Sequence, residues 1–221
     1  MTEVKRNQKQ TGFEVKTFPV PFALENIKEN ISITSNTPSK PSNEQIIGLA
    51  FKLQSKGNIS KAAKYYQYLI NQGVEDYRIF SNYGVILKDL GKLKQAELTT
   101  RKAIKLNPLL AEAHTNLGVI LQGLGNLKEA EMSYRKAIEI QPDYANAYLS
   151  LGNLLIAIGK LQEAEPPTRK AIKLKPDFAN AHLSLGNILK ALGKLQDAEM
   201  SYRKAIEIQP DYANAYLSLG N

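Results

Sequence analysis

The run AEMSYRKAIEIQPDYANAYLSLGN occurs twice without change, at residues 130–153 and 198–221. A shorter period lies inside that duplication. Pro108, Pro142, Pro176 and Pro210 are 34 residues apart, and Gly84, Gly118, Gly152, Gly186 and Gly220 keep the same interval. So do Gly91, Gly125, Gly159 and Gly193, and Ala96, Ala130, Ala164 and Ala198. A fixed period of this length marks a repeat architecture, in which each unit buries its apolar face against its neighbours.

Counting each unit from two residues after its proline places full units at 77–110, 111–144, 145–178 and 179–212. A degenerate unit at 43–76 has Ala50 for the first glycine and Val74 for the proline, but keeps Leu53, Gly57, Ala62 and Tyr66. A further unit starts at Ala213 and stops at Asn221, so residues 213–221 read as incomplete. Residues 1–42 show no period and hold Pro19, Pro21, Pro38 and Pro41. Their composition predicts a disordered tail and linker. The alternative is a short docking segment that uses Phe13, Phe18 and Phe22.

Each unit predicts two helices. In 111–144 the residues His114, Leu117, Leu121 and Leu124 share one helical face. Gly125 falls where a helix is expected to end, and Ala130, Tyr134, Ala137 and Ile138 mark a second face. Pro142 closes the second helix, and Asp143 is expected to cap the next one through its carboxylate. The glycine inside each first helix costs about 1 kcal/mol relative to alanine. Its recurrence predicts close helix contact, with Gly118 facing Ala130. Pro166-Pro167 stand where the other units have Met132-Ser133 and Met200-Ser201, and predict a kink or a late helix start. Glu97–Arg101, Glu131–Arg135, Glu165–Arg169 and Glu199–Arg203 are i,i+4 pairs with the acid first, the favourable order.

The pattern His114, Leu117, Gly118, Leu121, Gly125, Ala130, Tyr134, Ala137 and Pro142 resembles the tetratricopeptide repeat family. The resemblance runs from Asn43 onward. It implies an all-α, right-handed superhelical solenoid of helix-turn-helix repeats, whose first helices line a concave groove that binds extended or helical peptides. Stretches such as NLGVILQGLGNLKEAEMSYRKAIEIQPDYANAY look most like the repeats of O-linked N-acetylglucosamine transferases. That subfamily carries an asparagine ladder at the sixth position of its units. Here only Asn82 and Asn116 fit it. The chaperone-binding branch has a lysine at the fifth position, where this chain has Ser81, Thr115, Leu149 and Leu183.

Composition narrows the chemistry. There is no cysteine and there are two histidines, which removes disulfides, thiolate nucleophiles and His-rich metal sites. His114 and His182 occupy equivalent positions, filled elsewhere by Phe80, Tyr148 and Tyr216, so a flat packing ring is the reading. No phosphate-loop, hydrolase or zinc-protease motif is present, and no cofactor or metal is implied. No run of 18 apolar residues offers a membrane span, and the tail has no secretory h-region. A cytoplasmic location is the corresponding expectation. The net charge of +8 is carried largely by pairs such as Arg101-Lys102 and Arg135-Lys136 in the second helices. The arginines have glutamate partners, so a solvated face is read there in place of a nucleic-acid surface.

Carried onto this chain, the groove implied by the resemblance is lined by Asn82, Asn116, Gln122, Asn146, Asn153, Asn180, Asn187, Lys190 and Asn214. Side-chain amides both donate and accept, which suits pairing with a peptide backbone. The expected role is a non-catalytic scaffold for a protein or peptide. The alternative is the substrate-presenting part of a larger enzyme, with an O-GlcNAc-type glycosyltransferase as leading example. Self-association through the incomplete last unit is a third expectation.

Overall fold

The computed structural model describes residues 41–220. The tail and its candidate docking segment fall almost wholly outside them. The described residues form eleven helices and no strand. They are α1 (Asn43–Ser55), α2 (Ile59–Asn71), α3 (Tyr77–Asp89), α4 (Leu93–Leu106), α5 (Ala111–Gly123), α6 (Leu127–Ile140), α7 (Ala145–Ala157), α8 (Leu161–Leu174), α9 (Ala179–Ala191), α10 (Leu195–Ile208) and α11 (Ala213–Gly220).

The helices follow one another as antiparallel pairs. The most extensive contacts join α3 with α4, α5 with α6, α7 with α8 and α9 with α10. Each second helix then packs on the first helix of the next pair. First helices also touch one another, α3 with α5, α5 with α7 and α7 with α9, whereas second helices make no comparable contact. The array therefore curves, with the first helices on its inner face.

Local chemistry sets the helix ends. Ser42 opens α1 with a reciprocal cap: Ser42 Oγ accepts from the Gln45 amide at 3.3 Å, and Gln45 Oε1 accepts from the Ser42 amide at 2.9 Å. At the end of α5 the chain reverses through Gly125, whose φ of +81° is open to glycine at little cost. The Asn126 amide then donates to the Leu121 carbonyl at 2.9 Å.

Two sequence expectations are corrected, and so is the late-start alternative at Pro166-Pro167. Asp143 does not cap α7, whose N-cap residue is Tyr144 and has no side-chain cap bond. Pro142 and Asp143 form the middle of a tight turn closed by the Tyr144 amide on the Gln141 carbonyl at 3.1 Å. Pro suits that turn because its φ is already set. The glycine inside each first helix faces the side chain one turn beyond the alanine. A Cβ at Gly84 would stand 2.5 Å from Thr100 Oγ1, and one at Gly118 would overlap the ring of Tyr134. Gly152 and Gly186 meet Thr168 and Tyr202 in the same way. The fully buried alanines, Ala96, Ala130, Ala164 and Ala198 among them, keep the helices close. The next inward side chain then crosses over the glycine.

The third correction concerns α8. It begins at Leu161, as α6 begins at Leu127 and α10 at Leu195, and it runs to Leu174 with Pro166 and Pro167 inside it. The late start is absent. The two prolines leave the Gln162 and Glu163 carbonyls without their helical donors. Both residues are exposed, so water can take that place. Deeper in, Thr168 Oγ1 donates to the Ala164 carbonyl at 2.8 Å.

The core runs along the array as a series of clusters, the largest reaching from Leu117 on α5 to Ile188 on α9. It also holds Leu121, Tyr134, Leu151 and Leu155. Another joins Leu149, Ala171 and Ala181 across α7, α8 and α9.

Candidate peptide-binding face

On α9, Asn180, Asn187 and Lys190 follow i, i+7, i+10 spacing and so share one face. Asn146 and Asn153 repeat the first two positions on α7, and Asn214 the first on α11. All five asparagines are exposed. The seam between neighbouring first helices runs beside them, where Ser184 on α9 donates its hydroxyl to Asn153 Oδ1 on α7 at 2.8 Å. This places Asn153 at the contact between two first helices.

Most of the amides are already half used. The Tyr202 hydroxyl donates to Asn187 Oδ1 at 3.0 Å and the Tyr212 hydroxyl to Asn180 Oδ1 at 2.6 Å. Tyr134 does the same to Gln122 Oε1 at 3.1 Å, and Tyr66 to Gln54 Oε1 at 2.9 Å. Periodicity does not reveal these bonds, because they join a helix to a different helix or, at Tyr212, to the turn before α11. Burial pushes the Tyr134 and Tyr66 phenols well above their ordinary range, so they stay protonated donors.

The N-terminal part of the face is different. Asn82 is half-buried and spends its amide on the Arg78 carbonyl of its own helix at 2.7 Å. Asn116 Nδ2 is buried without a partner among the described residues. Val85 and Val119 stand where α7 and α9 carry Asn153 and Asn187. Glu112 adds a carboxylate at the start of α5.

His114 and His182 lie off this face. Each ring is hydrogen-bonded through Nε2 to a turn carbonyl, of Pro108 and Pro176, at 2.9 Å. The histidine thus adds a polar tie to the ring-packing role read from the sequence. Among the described residues no group of three or more His, Cys, Asp or Glu could hold a metal. No helix there is long and apolar enough to cross a membrane.

The outer side carries two equivalent clefts, of about 670 and 680 Å3, between α4 and α6 and between α6 and α8. Their floors are Ile104 and Leu117 in the first, and Ile138, Leu151 and Leu155 in the second. All four glutamate–arginine pairs form on this side, at 2.7–2.9 Å.

Antiparallel helix pairs, stacked at a fixed period with an exposed polar inner face, define a helical-repeat solenoid. Tetratricopeptide repeat models match residues 77–108 and 109–177, and a TPR repeat model matches 186–221. The chain belongs to the tetratricopeptide repeat family. Solved structures share the fold. A crystal structure of MamA is 25% identical, with TM-score 0.64, covering 74% of this chain and 96% of its own. YrrB, described as a TPR protein with an unusual peptide-binding site, is 22% identical, with TM-score 0.63, covering 89% and 97%. TTC0263, a thermophilic TPR protein of Thermus thermophilus, is 19% identical, with TM-score 0.66, covering 81% and 97%. No curated protein matches the sequence.

Proposed function

We propose that the chain is a non-catalytic interaction scaffold that holds a protein or peptide segment along its inner face. The observation that carries this reading is the row Asn146, Asn153, Asn180 and Asn187, exposed at equivalent positions of consecutive first helices. Such a row offers hydrogen bonds at regular steps to an extended backbone. The peptide-binding site attributed to YrrB supports the reading by analogy of fold. Gln122, Lys190 and Asn214 extend the proposed surface, whereas Asn82 is spent on Arg78 and Asn116 Nδ2 is buried.

The test is to replace Asn146, Asn153, Asn180 and Asn187 together by alanine and compare captured partners with those of the parent chain. Loss of partners is the expected result, with helical content retained by circular dichroism and a somewhat lower melting temperature, because Ser184, Tyr212 and Tyr202 lose their acceptors. An unchanged set of partners would remove the groove reading. Nothing in the described fold or in the relatives above supports the glycosyltransferase-associated alternative.

A further inference from the structure

We infer that the part of the inner face formed by α7, α9 and α11 is a track of hydrogen-bond donors suited to an extended acidic peptide. This holds only if the inner face is the binding surface proposed above, and it names the ligand chemistry that surface selects.

Three independent features point there. The first is the direction of the amides. Ser184, Tyr212 and Tyr202 donate to the oxygens of Asn153, Asn180 and Asn187 at 2.8, 2.6 and 3.0 Å. Each hydroxyl holds its amide by the oxygen and leaves the NH2 group free, and an NH2 group has two donors and no acceptor. None of these three NH2 groups has a hydrogen-bond partner among the described residues, and all three side chains are exposed. An unconstrained asparagine reads donors and acceptors alike, whereas these three present donors.

The second feature is charge. The sequences of α7, α9 and α11 contain no aspartate or glutamate. Their one charged residue is Lys190, on the same side of α9 as Asn187, and it forms no ion pair among the described residues. A carboxylate on the ligand would meet donors and a cation there, with no like charge supplied by these helices.

The third feature is a boundary. On α3 and α5 the positions of Asn153 and Asn187 are taken by Val85 and Val119, and Asp89 and Glu112 are present. The track therefore belongs to the C-terminal part of the face.

A ligand that fits must supply acceptors in succession and few competing donors. Ionised carboxylates are acceptors only, and a charged acceptor makes a bond roughly twice as strong as a neutral one. Glutamate- or aspartate-rich segments in extended form meet both conditions. Lysine-rich segments would set donors against donors.

The test uses the full chain and three fluorescein-labelled decapeptides, of glutamate, of alternating glycine and serine, and of lysine, followed by anisotropy at pH 7 and low salt. The glutamate peptide is expected to bind at least about tenfold more tightly than the other two, and to weaken as salt is raised. The decisive variant is Asn153→Asp with Asn187→Asp. A carboxylate has the shape of the amide and still accepts from Ser184 and Tyr202, so an unchanged melting curve is expected. It lacks the N–H donors, and glutamate-peptide binding should fall by at least about tenfold. Lys190→Gln should weaken it by a smaller factor.

Equal binding of the glycine-serine peptide, lost in the double variant, would overturn the donor track and leave the groove reading standing. Glutamate binding that survives the double variant but is lost on Lys170→Glu with Lys173→Glu, on α8, would overturn both. Failure of all three peptides to bind would overturn the donor track. If the double variant melts early, Lys190→Gln alone decides: no change in glutamate binding counts against the track.

Discussion

The ring of Tyr134 closes over Gly118, so that a methyl group on the glycine would stand 2.7 Å from ring atom Cδ1. Tyr134 is 1% exposed and its hydroxyl is tied to Gln122, so the ring cannot swing aside. Two effects therefore compete at this site. Alanine is the better helix former by about 1 kcal/mol. Overpacking a rigid core costs about 1–3 kcal/mol. Gly118→Ala is expected to lower stability. Gly48 provides the control, because it lies in α1 with nothing within 4 Å of a built Cβ. Gly48→Ala is expected to raise stability by up to about 1 kcal/mol. Urea denaturation of the two variants checks both signs, and a gain in both would remove the close-packing account of Gly118.

Pro166 and Pro167 lie in the interior of α8, beyond its first turn. Restoring the residues found at the same place in α6 and α10, as Pro166→Met with Pro167→Ser, returns two helical amide donors. An interior proline costs about 3 kcal/mol through the lost hydrogen bond and the clash of its ring with the carbonyl four residues back. Here Gln162 and Glu163 are exposed, so the expected gain is smaller, about 1–3 kcal/mol for the pair. Thermal melting followed by circular dichroism measures it. A variant that melts no later than the parent would show that the α8 backbone is already fully accommodated.

The fold was legible because the period is exposed in single letters. Glycine, alanine and proline recur wherever geometry admits little else, and that fixes helix ends and helix contacts without any knowledge of neighbours. What lies across a contact was less legible. Small size and a shared period point from Gly118 to Ala130. The side chain that reaches the glycine is set by how two helices cross, and it is Tyr134. Asp143 carries the side chain of a cap, yet the turn around Pro142 uses it before the helix begins. Position in the repeat alone picks out the nine candidate face residues. By residue type their amides can both donate and accept. The structure ties several amide oxygens to Tyr134, Tyr202, Tyr212 and Ser184, bonds set by three-dimensional neighbours.

Acid should loosen the N-terminal pair first. Arg78 joins Asp76 at 2.6 Å and Glu44 at 2.7 Å, linking α1 to α3. The hydrogen bonds from Arg78 hold both carboxyls below their ordinary range. A carboxyl lowered by folding stabilises the fold above its unfolded pKa, about 4, and that contribution is lost as pH falls through the folded value. The melting temperature is therefore expected to be flat from pH 7 to about 5 and to decline below it. Asp76 is the more buried partner, and Arg78→Gln should cost about 1 kcal/mol at pH 7, allowing for solvent screening. The same variant should show a shallower acid decline. Parallel curves for parent and variant would place the acid-sensitive contacts elsewhere, for instance at Glu165, whose carboxyl is lowered by Arg169.

His182 ties the start of α9 to the preceding turn through its bond to the Pro176 carbonyl at 2.9 Å. Phenylalanine keeps the flat ring that the sequence pattern requires, and Phe80 shows that the position accepts it. It removes the donor, and the Pro176 carbonyl then depends on water. His182→Phe is expected to cost about 0.5–1.5 kcal/mol, the net worth of one hydrogen bond. His182→Ala removes ring and bond together and should cost more. Because each repeat touches only its neighbours, the loss should centre on α8 to α10. Amide hydrogen exchange resolves that directly. Faster exchange in α9, with α3 and α4 unchanged, is the expected pattern. A uniform increase along the whole array would mean that the repeats unfold as one unit and that the tie at His182 has no local role.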